Sequence, residues 1–219
     1  MSTSEIAHPQ PMGIFGGTFD PIHFGHLRTA LELQQTLNLA EIRFIPCKIP
    51  VHKPTAQTNA AHRLAMLQLA IADQPQFTID TRELTRDTPS YMVETLRSLQ
   101  QELCNTPLCL ILGLDAFLNL PTWHQWQEVT QLAHFIIVGR GEAEIPEQSI
   151  FKKWIATQTI TDPMLFMKQR AGLVLFQPLA TPLTISATEI RAQLQQGLSP
   201  RYLLPDPVLN YIRENGIYT

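Results

Sequence analysis

The sequence predicts an α/β chain built on a doubly wound parallel sheet with helices on both faces. Short, near-continuous apolar runs recur along the chain, and stretches of helical period separate them. Within those runs apolar and polar residues do not alternate, as expected of strands covered on both faces. Six strands are expected, at residues 12–16, 42–46, 77–80, 108–112, 134–138 and 173–177. The sum is a Rossmann-like architecture.

Residues 1–11 are polar, include Pro9 and Pro11, and are expected to form a loose tail before a single domain over residues 12–219. A helix is predicted over 27–39, where Leu27, Ala30, Leu31 and Leu37 share one face. A second is expected over 60–72, and a third over 90–103 on Met92, Val93, Leu96 and Leu99. Residues 141–169 have no clear period and read as a loop with short helices. Ser186 with Glu189 forms a capping-box pattern, and Gly197 supplies a stop. Asp206 before Pro207 reads as a cap followed by proline at the first helical position. These last two helices form a small C-terminal helical part.

Sixteen Lys plus Arg against nineteen Asp plus Glu leave a formal charge of −3 on 219 residues. That balance argues against a nucleic-acid or anionic-membrane partner. Cys47, Cys104 and Cys109 are odd in number and form no C-x-x-C, which points to a reducing compartment rather than a disulfide framework or zinc site. The first residues lack a basic stretch followed by an apolar core. No run approaches the roughly 18 apolar residues of a membrane helix. The chain therefore reads as cytoplasmic. Its oligomeric state stays open, homo-oligomerisation included.

The chemistry concentrates where the first apolar run enters Gly16-Gly17-Thr18-Phe19-Asp20-Pro21, with a helix following from about residue 25 or 26. In an open parallel sheet, ligands bind outside the carboxyl ends of the strands. Gly16 and Gly17 would let backbone N–H groups approach a phosphate there, and the following helix presents unpaired N–H groups and a positive dipole end. His23 and His26, three apart, put two imidazoles at that entry, able to stabilise phosphate charge without carrying a permanent one. The bland alternative is a glycine turn with helix-capping histidines; the combination of motifs weighs against it. Neither G-x-G-x-x-G nor G-K-[ST] occurs, which excludes the dinucleotide-binding fingerprint and the P-loop.

The segment GGTFDPIHFGHL resembles the signature of nucleotidyltransferases with an H-x-G-H motif. Residues 185–191, Ile-Ser-Ala-Thr-Glu-Ile-Arg, supply that superfamily's second element. From about residue 12 onward the chain is similar to bacterial nicotinate-nucleotide adenylyltransferases. The intervening matches are PVHKP at 50–54, R-x-x-M-L at 63–67, PSY at 89–91, GLDAFLNLPTWHQW at 113–126 and the tail PDPVLNYIRENGIY at 205–218. The resemblance implies adenylyl transfer from ATP to nicotinate mononucleotide, with Mg2+ carried on the ATP and no metal held by protein side chains. His23, His26 and Arg191 would be catalytic. Gly16, Gly17, Thr18, Phe19, Gly113, Asp115, Ile185, Ser186 and Thr188 would join them around ATP, with Gly113 and Asp115 at the ribose. Ser186, Thr188 and Arg191 would hold the β- and γ-phosphates. Lys53, Tyr91, Met92 and Trp123 would meet the mononucleotide, Trp123 at the pyridine ring.

The chain departs from the family pattern in three places. Met92 stands where Thr is usual, Ala187 where Ser is common, and Gly139-Arg140-Gly141 replaces Arg-Pro-Gly. Ser186 has a second reading as a helix cap, and Asp115 one as a turn residue. Trp126 reads as core. His8, His62, His124 and His134 receive no functional role. Within the same chemistry, the acceptor could instead be nicotinamide mononucleotide or phosphopantetheine. A non-catalytic nucleotide sensor would be expected to have lost part of the two motifs, yet both are complete.

Overall fold

A computed structural model describes residues 9–49, 56–139 and 150–218. Its strands are β1 (Met12–Gly17), β2 (Ile42–Pro46), β3 (Phe77–Ile79), β4 (Leu108–Gly113), β5 (His134–Val138), β6 (Thr159–Ile160) and β7 (Val174–Gln177). They form one sheet in the order β3-β2-β1-β4-β5-β7-β6, with every pair parallel. The helices are α1 (Phe24–Thr36), α2 (Ala60–Ile71), α3 (Met92–Glu102), α4 (Leu114–Leu118), α5 (Trp126–Leu132), α6 (Ile150–Gln158), α7 (Ala187–Gln195) and α8 (Asp206–Glu214). Short 3-10 turns occupy Leu120–Thr122 and Pro163–Met167. Among the described residues no helix is long and apolar enough to cross a membrane.

The continuous apolar runs have a simple cause. In β4, Leu108, Leu110 and Leu112 join one core, while Cys109 and Ile111 join the other. Side chains alternate across a strand, so a strand buried on both faces must be apolar at every position. One core is closed by α1, α2 and α8 through Ala30, Leu33, Met66, Leu67, Leu209 and Ile212. The other is closed by α3, α5 and α6 through Val93, Leu96, Val129, Phe151 and Ile155.

The expected strands recur within a residue or two, and β6 adds a seventh. Two residues long at the sheet edge, it is too short to register a period of two. The first helix starts and stops three residues earlier than expected. Asn38 adopts φ +50°, and the Leu39 N–H reaches back to the Gln34 carbonyl at 3.1 Å, so a left-handed stop overrides the apolar pattern at Leu37 and Leu39. At the last helix Asp206 does not cap. Pro205 takes the N-cap position, and Asp206 lies in the first turn, where its charge suits the helix dipole. Gly197, at φ +71°, ends α7 as expected.

His134, without a functional reading in the sequence, has a structural one. It is fully buried at the start of β5. Its Nδ1 accepts the Leu173 N–H at 3.2 Å, which leaves Nε2 to donate to the Gln169 carbonyl at 3.1 Å. This latch requires the neutral ring, and burial brings its pKa down to about 4. Between pH 6.5 and 4 only the unfolded chain takes up that proton, so stability falls as pH falls. His134 alone should contribute about 2 kcal/mol to the difference between urea titrations at pH 7 and pH 5. His134→Asn should remove that part of the pH dependence; an undiminished slope would contradict it.

Candidate active site

β1 ends at the switch point of the sheet, paired with β2 on one side and β4 on the other, where connections leave in opposite directions and open a crevice. Past this point the chain folds sharply back. Phe19 takes φ +50°, and its ring is 2% exposed, edge-on to Phe15, Phe44 and His26. A Cβ on Gly17 would meet that ring at 2.8 Å, and one on Gly16 would meet the Met92 Cε at 2.8 Å. Gly17 is thus required by close packing before any ligand is considered, whereas at Gly16 only the flexible end of Met92 would have to move. Phe19 can offer a ligand only its backbone, since its side chain is core.

The carbonyl groups of this loop are held by protein donors. Gly17 accepts the Cys47 N–H at 3.0 Å, and Thr18 accepts Arg63 Nη1 at 2.7 Å. Asp20 accepts Arg191 Nη1 at 2.7 Å. An anion-binding loop must keep its carbonyl oxygens off the anion, and here those of Gly17, Thr18 and Asp20 are occupied. Arg63, on α2 and 1% exposed, also donates Nη2 to the Cys47 carbonyl at 2.7 Å. Among the described residues it forms no ion pair, and its two bonded acceptors are backbone carbonyl oxygens. The Thr18 hydroxyl lies 3.7 Å from the Cys47 Sγ.

His23 occupies the N-cap position of α1 without capping through its side chain. Its ring stacks on His26 with centroids 3.7 Å apart and planes at 29°. Gly25 permits this, because a Cβ there would approach the His23 ring to 3.0 Å. His23 is 5% exposed, and burial lowers its pKa to about 4, so it is neutral near pH 7. Its Nδ1 is buried without a hydrogen-bond partner among the described residues.

The second motif forms the opposite wall. Ser186 takes the N-cap position of α7, but its hydroxyl makes no capping bond, so the capping box expected from Glu189 does not form. Arg191 reaches across 171 residues to the Asp20 carbonyl and donates Nη2 to Thr188 Oγ1 at 3.2 Å. Ile185 packs against the α1-side core. The segment entering this motif is held by Glu32 of α1, a buried carboxylate accepting the N–H groups of Ala180 and, at 3.1 Å, Thr181. Thr18, Asp20, His23, His26, Ser186, Thr188 and Arg191 together line a cleft of about 350 Å3.

The remaining site residues lie along the same rim. Gly113 closes β4 and precedes α4, with open space where a Cβ would be; Asp115 is exposed in the first turn of α4. Neither lines the cleft between the two motifs. Met92 heads α3, and its side chain reaches the end of β1 at Gly16. Tyr91 lies against His124, the residue after Trp123, with ring centroids at 4.4 Å. Trp123 is half-buried on the β4–β5 core, and Trp126 packs edge-on to Phe151. Lys53 and Arg140 fall outside the described residues.

No local pattern gives a role to Arg63, Glu32, Asp20, Gln57 or Tyr218, all of which bond across the site. Asp20 sits inside the first motif, and Arg63 and Tyr218 fall in matched segments. Nothing in their spacing reveals that they converge.

The cytidylyltransferase-like family model matches residues 14–193. A Methylococcus capsulatus protein named "Probable nicotinate-nucleotide adenylyltransferase" is 46% identical over 208 residues, covering 94% of this chain and 99% of its own length. A Pseudomonas aeruginosa protein of the same name is 42% identical over 208 residues, covering 94% and 96%. Among solved structures, the Plasmodium falciparum nicotinic acid mononucleotide adenylyltransferase complexed with NaAD superposes with a TM-score of 0.71. It is 19% identical and covers 95% of this chain and 97% of its own. That likeness is one of fold.

Arg63→Met removes two charge-assisted hydrogen bonds from the floor of the loop, each worth about 1.5–3 kcal/mol. Denaturant unfolding should show a loss of about 3–5 kcal/mol, and a loss below about 1 kcal/mol would contradict the role given to this residue.

Proposed function

The chain belongs to the nicotinate-nucleotide adenylyltransferases of the cytidylyltransferase-like family, and from that premise we propose that it transfers the adenylyl group of ATP to nicotinate mononucleotide. The products are nicotinate adenine dinucleotide and pyrophosphate. The observation carrying this reading is the cleft itself, where His23 and His26 face Ser186, Thr188 and Arg191, and Arg191 bonds the backbone of the opposite motif.

In the reaction, a phosphate oxygen of the mononucleotide attacks the α-phosphorus of ATP in line. A new P–O bond forms as the bond from Pα to the bridging oxygen of the β-phosphate breaks, and the electron pair leaves with pyrophosphate. The attacking phosphate is already anionic, so no general base is needed, and catalysis reduces to positioning and charge stabilisation. His23 and His26 stabilise the reacting phosphate, with His23 as a neutral donor. Ser186, Thr188 and Arg191 hold the β- and γ-phosphates at the head of α7, a ready anion site. Gly113 and Asp115 meet the ribose from the neighbouring strand end. Lys53 contributes to the mononucleotide phosphate.

The donor set in the cleft suits anions. Its carboxylate, Asp20, has both oxygens bonded, to Tyr218 and Gln57, and among the described residues no cluster of His, Cys, Asp or Glu could hold a metal. We infer that a divalent cation, Mg2+, enters with ATP as part of the substrate and neutralises phosphate charge. Trp123 and Tyr91 border the pyridine pocket. Met92 points its side chain toward Gly16, so the carboxylate of nicotinate is met by the leading N–H groups of α3, which a helix leaves unpaired. The reaction takes place in the cytoplasm.

Pyrophosphate release measured with nicotinate mononucleotide, nicotinamide mononucleotide and phosphopantetheine should favour the first; equal rates with the amide would refute acid selectivity. His26→Ala should lower kcat about 10²–10³-fold while ATP affinity changes only a few-fold. Near-normal turnover in that variant would overturn the mechanism.

A further inference from the structure

The chain reverses just after α8. Gly216 takes φ +58°, the Ile217 N–H returns to the Ile212 carbonyl at 3.0 Å, and the Gly216 N–H bonds the Arg213 carbonyl at 3.3 Å. This pattern is a Schellman stop, with a left-handed glycine satisfying the last helical carbonyls. It turns Ile217 into the α1-side core and sends Tyr218 inward, 8% exposed, far from α8's own solvent face. There the Tyr218 hydroxyl donates to Asp20 Oδ1 at 2.5 Å. Burial and the adjacent carboxylate hold that hydroxyl protonated, well above the usual phenol range.

Asp20 is the junction of the cleft. Its second carboxylate oxygen accepts the Gln57 N–H at 2.7 Å, and Gln57 stands on the cleft wall. Its own carbonyl accepts Arg191 Nη1 at 2.7 Å. Three segments distant in sequence thus meet on one residue, and a buried phenol fixes its side chain. A short O–H···O⁻ bond of this kind is among the stronger hydrogen bonds, and it leaves Asp20 little freedom to rotate.

We infer that Tyr218 is a positioning residue for triphosphate binding, acting through Asp20 on the guanidinium of Arg191. This rests on the proposed adenylyl transfer and adds to it the control of one substrate over the other. Because Tyr218 works at the Arg191 side of the cleft, its loss should be felt by ATP and not by the mononucleotide. A purely structural residue would lower stability without that bias.

The test is Tyr218→Phe, which keeps the buried ring and deletes only the hydroxyl. KM for ATP should rise about tenfold with KM for nicotinate mononucleotide within twofold of the unmodified chain. Arg191→Lys should then cost at least fivefold less in kcat/KM in the Tyr218→Phe background than alone, because both changes disturb one linkage. Additive effects, or equal rises in both KM values, would overturn the inference. If Tyr218→Phe does not fold, Asp20→Asn is put through the same cycle with the same expected outcomes. An inactive unmodified chain would refute the proposed reaction, whereas an active one with an unimpaired Tyr218→Phe variant would refute this inference alone.

Discussion

Everything at the cleft depends on keeping backbone carbonyls away from the place proposed for the triphosphate. A loop that turns as tightly as residues 16–21 must direct its carbonyl oxygens somewhere, and unpaired ones would repel a triphosphate. Two guanidinium groups and one amide N–H take the carbonyls of Gly17, Thr18 and Asp20. Arg63 does so from full burial, and one arginine ties the ends of β1 and β2 together at 2.7 Å on each side. Burying a cation is costly, and here it is offset by hydrogen bonds to oxygens that would otherwise face the ligand.

From that constraint the rest of the site follows in steps. With its carbonyls held, the loop turns through Phe19 and packs that ring against His26, which stacks with His23 at the head of α1. Helix α1 in turn uses Glu32 to hold the segment that enters the second motif. Arg191 closes the circuit by returning to Asp20. The two halves of the cleft, distant in sequence, are therefore set by a shared network rather than by separate folding of two motifs. Hydrogen bonds of this sort restrict side-chain motion, and the proposed reaction, which needs no general base, relies on that positioning.

The sequence made the sheet legible because burial on both faces forces an unbroken apolar run, a signal that survives in six of the seven strands. It missed β6 because two residues cannot express a period. Helix ends were legible where glycine marks them, as at Gly197, and misread where Asn38 adopts a left-handed turn amid apolar residues. The capping box at Ser186 and Glu189 is a sound local pattern that the structure does not use; Ser186 lines the cleft instead. The two motifs were legible because each is contiguous. The partners Arg63, Glu32 and Tyr218 were not, because their roles exist only through contacts between residues far apart in the chain.

One cleft, walled by His23 and His26 on one side and residues 186–191 on the other, is the proposed seat of the triphosphate. A crystal structure of the chain with an α,β-methylene analogue of ATP tests it most directly. The β- and γ-phosphate oxygens should lie within hydrogen-bond distance of Ser186, Thr188 and Arg191, with the α-phosphate beside His26 and the loop carbonyls still on Arg63 and Arg191. A triphosphate bound elsewhere on the rim, leaving this cleft empty, would contradict the account.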